Sequence, residues 1–323
     1  MSNLKKVISQ IKKYNNFLIV SHINPEGDSL GSQLGFAFLL KAMGKKCNIV
    51  NTQSPPDFYK FLPNINTIQT TIKKQVKYDI VCFLDCADES RIGEIAAKID
   101  LTKPKLNIDH HPSNTGFGDI NVVLTQSSSA AEIVYKLFKE SGIKISKNIA
   151  TCLYAGILTD TGSFSYSNVS AYTHQVAAEL IETGLDINYI YRKAYEEVKL
   201  STLRLLGSAL STLSISNNGR VAWMQVTRVM FRKNKSCIEH EKEFISFPRS
   251  IKGVEVAVLF TEVTKNKTKV NFRSNTKANV NKIASHFGGG GHQKASGCLI
   301  NEPIKVAKKK VLAEIKKHLK HEK

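Results

Sequence analysis

Short apolar runs alternate along this chain with longer stretches of helical spacing. Residues 17–21 (FLIVS) are apolar almost without interruption, the pattern of a strand buried on both faces. Residues 29–45 follow with Leu30, Leu34, Phe38 and Met43 at helical intervals, and Gly44 supplies a stop. The alternation then repeats. Strand patterns occupy 47–51, 78–86 and 106–109, and helical patterns occupy 91–99, 128–141, 148–158 and 171–183. Strands separated by helices of this length predict an α/β fold whose parallel sheet is covered on both faces.

From 188 to 213 the apolar positions Ile190, Ala194, Val198, Leu203, Leu206 and Leu210 predict one long amphipathic helix. Beyond residue 215 the pattern changes. Strands are predicted at 220–227, 254–263 and 269–274 with turn signals such as Asn217-Asn218-Gly219, and helices at 280–287 and 305–319. The expected organisation is a parallel-sheet domain over 1–187, a helical linker over 188–214 and a smaller α/β domain over 215–323.

Composition narrows this picture. A chain of 323 residues exceeds one typical core, which favours two domains. Apolar residues at 42% and charged residues at 23% exclude a disordered chain. No run is long and apolar enough for a signal peptide or a spanning helix, so a cytoplasmic protein without a membrane partner is expected. None of the six cysteines (Cys47, Cys82, Cys86, Cys152, Cys237, Cys298) forms a C-x-x-C pair, which favours structural thiols over zinc or disulfide roles. The net charge of +19 is uneven: residues 1–215 hold 23 Lys/Arg against 19 Asp/Glu, residues 216–323 hold 23 against 8. That surplus suits a polyanion and equally a lysine-rich solvated surface; the terminal stretch 303–323, with eight Lys against two Glu, reads first as a solvated helix face.

Chemistry gathers where the strands end. In an open α/β sheet, ligands bind outside the carboxyl ends of the strands. The first strand runs into Ser21-His22-Ile23-Asn24-Pro25-Glu26-Gly27-Asp28, the next candidate into Asp85-Cys86-Ala87-Asp88, and another into Asp109-His110-His111. The helical pattern ending at residue 158 runs into Thr159-Asp160-Thr161-Gly162. Taken singly, Asp28 reads equally as a helix cap and Asp160 as a turn residue. Together, so many acids at one edge cannot stay ionised without compensating charge. Carboxylate oxygens with a minority of imidazoles suit Mn²⁺, Mg²⁺ or Fe²⁺ better than structural zinc. Two such ions would activate water and clamp the oxygens of a phosphoryl displacement, and Asp85 is the expected bridge.

A second cluster is Gly288-Gly289-Gly290-Gly291-His292-Gln293-Lys294-Ala295-Ser296. Consecutive glycines are costly unless backbone must approach something closely, and their N–H groups can form an anion nest. Arg273, ending a predicted strand, suits bidentate phosphate contact. The serines of Ser127-Ser128-Ser129 open a helix, where capping is the expected role ahead of anion binding.

The segments SHINPEGDSLGS (21–32), LDCAD (84–88), IDHH (108–111) and TDTGSF (159–164) resemble the four signature motifs of the DHH phosphoesterases, and GGGGHQKASG (288–297) resembles the glycine-rich motif of the DHH-associated C-terminal domain. The resemblance covers nearly the whole chain in order. Its layout is similar to the subgroup of nano-oligoribonucleases that also act as phosphatases on 3′-phosphoadenosine 5′-phosphate. It implies an enzyme using two divalent cations, foremost Mn²⁺, with the active site in the cleft between the domains. It also implies that His22, Glu26 and Asp85 hold one ion and that Asp28, Asp85, His110 and Asp160 hold the other. His111 would face the scissile phosphate, Asp109 would orient the histidines, and Arg273 with Gly289, Gly290, Gly291, His292 and Ser296 would grip the remainder of the substrate. The family most often carries Asp where this chain has Glu26; glutamate keeps the charge and reaches one methylene further. The implied reaction is end-directed, exonuclease-like cleavage of short RNA to mononucleotides, with conversion of 3′-phosphoadenosine 5′-phosphate to AMP. Cyclic-di-AMP or linear dinucleotide cleavage is the alternative within the same chemistry, and a non-catalytic nucleic-acid-binding protein is the alternative of another class. A homodimer is left open.

Overall fold

The computed structural model describes residues 3–72, 76–216, 218–237 and 244–320. The chain forms two compact units, Met1–Glu197 and Val198–Lys323.

The first unit runs α1 (Asn3–Lys13), β1 (Asn16–Val20), α2 (Gly27–Ala42), β2 (Lys46–Val50), β3 (Ile68–Gln69), β4 (Ile80–Leu84), β5 (Lys105–Asp109), β6 (Ile120–Val123), α3 (Ala130–Ser141), α4 (Lys147–Asp160), α5 (Ala171–Ile181) and α6 (Ile187–Tyr191). Its six strands are all parallel, in the order β3-β2-β1-β4-β5-β6. The order reverses between β1 and β4, and a crevice opens at the carboxyl ends where such a reversal occurs. His22 follows β1 and Asp85 follows β4, so both fall at that point.

One face of the sheet packs on helices through Phe17, Ile19, Leu34, Val134, Leu153 and their neighbours. The other, carrying Leu18, Val20, Val81 and Phe83, is covered by Ile92, Ile95 and Ile99. The helix expected over 91–99 is instead a pair of 3₁₀ turns within Glu89–Lys98, because Gly93 at φ +71° breaks the run. Helices α2 and α4 approach backbone to backbone: a Cβ on Gly31 would lie 2.3 Å from the Cys152 carbonyl oxygen.

The single helix expected over 188–213 is divided. After α6 a π-helical turn (Arg192–Glu196) ends at Glu197, whose ψ of 67° leaves the helical region, and α7 (Leu200–Leu210) starts afresh. Ile190 belongs to the core of the first unit, whereas Leu205 and Ala209 belong to a core of the second. Two halves serving different cores need not share one helix axis.

The second unit continues with β7 (Ser214–Ile215), β8 (Val221–Val226), α8 (Arg228–Lys233), α9 (Ser246–Arg249), β9 (Val256–Thr264), β10 (Lys267–Ser274), α10 (Val280–His286), β11 (Gly290–Gly291), β12 (Ala295–Ile300) and α11 (Ile304–Lys320). The sheet order is β11-β12-β10-β9-β8-β7, with β8 and β9 parallel and the other pairs antiparallel. Alternation along β9 sends Val256, Val258 and Phe260 to the face covered by α10 and α11, and Ala257 and Leu259 to the α7 face. Of the turn signal before β8, Asn217 lies outside the described residues, while Gly219 adopts φ +71° and donates to the Ser216 carbonyl. Among the described residues no helix is long and apolar enough to cross a membrane.

Candidate metal centre

The strand ends are tied together before any charged group is placed. Ser21 donates through Oγ to the Leu84 carbonyl at 2.7 Å, and its N–H meets Asn51 Oδ1 at 3.1 Å. Asn51 in turn exchanges two amide hydrogen bonds with Gln33 of α2. The Asp85 N–H donates to the Ile108 carbonyl, which holds the end of β4 against β5. Asp85 itself has φ +55°, a left-handed conformation that a non-glycine residue adopts at some cost. That conformation turns its carboxylate toward three histidines.

Asp85 divides its two oxygens. Oδ2 lies 3.3 Å from His22 Nε2, and Oδ1 lies 3.6 Å from both His110 Nε2 and His111 Nδ1. The His22 ring is set by its Nδ1, 2.7 Å from the Ile23 carbonyl. His110 Nε2 also lies 3.5 Å from Asp160 Oδ2 and 3.9 Å from Asp28 Oδ2. Ligand atoms of Asp85, Asp109, His110 and His111 fall within 4.8 Å of one another, as do those of Asp28, His110 and Asp160. The elements therefore bring Asp28, Asp85, Asp109, His110, His111 and Asp160 together, with His22 against Asp85. Glu26, exposed at the head of α2, belongs to neither group, although its charge acts on Asp160.

Asp28 has a further engagement. Its Oδ2 accepts from the Ala130 N–H at 2.7 Å and its Oδ1 from the Ala131 N–H at 2.8 Å. The anion at the positive end of α3 is thus a carboxylate of the chain itself. Ser129 caps the same helix by accepting from the Glu132 N–H. Ser128 and Thr173 donate instead to the buried Glu132, which also meets Lys136 Nζ at 2.8 Å.

The electrostatics show a surplus of negative charge. Burial, with the neighbouring charges of Asp85 and Asp160, holds the Asp28 carboxyl well above its ordinary pKa. Burial and Asp85 push Asp160 up to about 6, against the opposing influence of His110. For His110, burial disfavours the charged form, but Asp160, Asp85 and Asp28 outweigh it and raise its pKa well above the usual value. Asp85 goes the other way: burial is outweighed by the approach of His110, His22 and His111, which keeps it ionised. Its Oδ1 is buried and has no hydrogen-bond partner among the described residues. An ionised oxygen in that position, ringed by imidazoles and further acids, fits a divalent cation.

A model of the DHH family N-terminal domain matches residues 16–157, and one of the DHHA1 domain matches 242–321. The bifunctional oligoribonuclease and PAP phosphatase NrnA of Thermus thermophilus is 31% identical over 282 residues, covering 87% of this chain and 83% of that protein. The chain belongs to the DHH family. The Bacillus subtilis protein of the same name is 29% identical, covering 91% of this chain and 92% of its own length. The crystal structure of an exopolyphosphatase-related protein from Bacteroides fragilis superposes with a TM-score of 0.90 at 29% identity, over 99% of this chain and 96% of that one. As a DHH family member the chain is a hydrolase with phosphoesterase chemistry.

In the DHHA1 domain, the glycine-rich loop is partly consumed by its own sheet. A Cβ on Gly289 would lie 2.2 Å from the Gly297 carbonyl oxygen, and one on Gly291, at φ +139°, 2.6 Å from that of Ala295. These two glycines permit close approach to β12; Gly290 is exposed. Ser296 is buried and donates to the His292 carbonyl at 2.7 Å. Arg273 is half-buried and pairs in register with Ala295, which places it at the foot of the same loop.

Two asparagines not among the predicted site residues hydrogen-bond beside the Asp85 cluster. Asn107, fully buried, and Asn114 both donate to the Cys86 carbonyl, at 3.0 and 3.2 Å. The signal was available: Asn107 stands between Leu106 and Ile108 in the strand predicted over 106–109, and an amide there is costly to bury without a partner. Among the described residues neither candidate group includes a cysteine. All six cysteines are free thiols, and burial pushes Cys86 up to about 12.

Proposed function

We propose that this DHH enzyme is a Mn²⁺-dependent phosphoesterase that hydrolyses short oligoribonucleotides to mononucleotides and also converts 3′-phosphoadenosine 5′-phosphate to AMP. The observation that carries the reading is the divided Asp85 carboxylate, with His22 on one side and His110 and His111 on the other. In this reading His22, Glu26 and Asp85 hold one ion, and Asp28, Asp85, His110 and Asp160 hold the second. When bound, the pair supplies a hydroxide at neutral pH and neutralises charge on the phosphoryl oxygens. His111 faces the scissile phosphate, and Asp109, 2.7 Å from its Nδ1, fixes the ring. Arg273, the exposed backbone at Gly290 and the neighbouring His292 are the substrate-binding groups of this reading, and an anionic substrate suits the basic second unit. The two NrnA proteins, similar over most of their length, carry both activities in their names, which supports the choice of substrates.

The test is a Mn²⁺ assay across four substrates: a dinucleotide, a longer RNA, cyclic-di-AMP and 3′-phosphoadenosine 5′-phosphate. Mononucleotide release from the dinucleotide and phosphate release from 3′-phosphoadenosine 5′-phosphate are expected. Cleavage of cyclic-di-AMP alone would reassign the substrate. Salt-sensitive RNA binding without turnover of any of the four would replace the enzyme by a binding protein.

A further inference from the structure

Asp109 is completely buried at the end of β5. Its Oδ1 lies 2.7 Å from His111 Nδ1, and its Oδ2 accepts from Asn114 Nδ2 at 2.6 Å. A carboxylate oxygen at this distance accepts a hydrogen bond, so the contact favours a proton on His111 Nδ1 and fixes the plane of the ring. The same Asn114 amide lies 2.8 Å from Asn107 Oδ1 and 3.2 Å from the carbonyl of Cys86, the residue after the left-handed Asp85. Its own Oδ1 accepts from the Gly116 N–H at 2.8 Å. One side chain thus joins the Cys86 carbonyl to the carboxylate that aims His111.

We propose that Asn114 is a positioning residue for the phosphoester reaction: by holding Asp109 Oδ2 it fixes the rotamer of Asp109, and through it the tautomer and orientation of His111. Without Asn114 the buried carboxylate loses the donor on Oδ2 and turns to recover one, and His111 loses its fixed partner. The proposal rests on the reading of His111 as the residue that faces the phosphate. Its first test does not.

Imidazole ¹⁵N spectra of metal-free protein, labelled in histidine, read the tautomer directly without substrate. For the unsubstituted protein, His111 is expected to show a protonated Nδ1. Asn114→Ala and Asn114→Asp should both shift this pattern toward a mixture of tautomers. Asn114→Asp keeps the acceptor for Gly116 while removing the donor to Asp109, so it separates a loop-holding role from a positioning one. In Mn²⁺-supported turnover, both variants should lose about 10–100-fold in kcat with KM little changed. An unaltered His111 spectrum in both variants would overturn the proposal, as would an Asn114→Asp enzyme with full kcat. If the unsubstituted enzyme proves inactive, the functional reading fails and the spectra still decide the role of Asn114.

Discussion

Asp85→Asn is expected to lower kcat/KM by about a thousandfold or more while the protein still folds. The figure follows from several kcal/mol of charge stabilisation attributed to metal-ion catalysis, at about 1.4 kcal/mol for each factor of ten. Asparagine is the informative replacement because it tolerates the left-handed conformation that Asp85 adopts at φ +55° and keeps the side chain's shape. What it removes is the charge, and with it the partner shared by His22 at 3.3 Å and His110 at 3.6 Å. Initial rates in Mn²⁺, together with circular dichroism and cooperative thermal unfolding, measure both halves of the expectation. Near-normal turnover would remove Asp85 from the bridging role; loss of the fold would make the rate uninformative and move the test to Asp160→Asn.

The second large effect comes from a residue with no chemistry of its own. Gly156 lies on α4, where an added Cβ would be 2.6 Å from the Ala131 Cβ and 3.0 Å from Asp28 Oδ1. Overpacking of this kind costs about 1–3 kcal/mol. Here the neighbours that must yield are the first turn of α3 and the carboxylate it holds, because Asp28 accepts from the Ala130 and Ala131 amides. Gly156→Ala should therefore lower the melting temperature and also reduce kcat by about a hundredfold, the scale of loss for a small misplacement of a reacting group. Gly35→Ala is the control. Its Cβ would meet Leu153 Cδ2 at 2.5 Å, the end of a flexible side chain, so it should cost stability and leave kcat alone. Equal activity in the two variants would show that the α3 contact does not position Asp28.

The carboxyl-end rule for parallel sheets made much of this site legible from the chain. Asp28, Asp85, His110 and Asp160 come from segments far apart in sequence, and the order of strands and helices predicts that they meet. The parallel sheet was readable because its central strands are apolar on both faces. Elements governed by something other than periodicity were not. The apolar pattern runs unbroken through 188–213, yet the helix divides because Ile190 and Leu205 are claimed by different cores. Residues 91–99 carry helical spacing, but Gly93 takes a left-handed turn that spacing does not report. The glycine-rich loop showed that backbone approaches something closely; that β12 itself accounts for Gly289 and Gly291 depends on a strand pairing invisible in a linear pattern. Glu26 marks another limit, since a motif places a carboxylate at the head of α2 without fixing where its longer side chain reaches. Asn114 was passed over because an asparagine after a strand usually reads as a turn residue. Its contact with Asp109 appears only in three dimensions.

The proposed role of this cluster is to hold a pair of divalent cations about Asp85. Anomalous scattering at the manganese edge, from crystals of metal-stripped protein soaked in Mn²⁺, tests it most directly. Two peaks flanking the Asp85 carboxylate are expected, one on the His22 side and one on the side of Asp28, His110 and Asp160. A map with no peak at Asp85, under conditions where the same protein shows Mn²⁺-dependent turnover, would contradict the account.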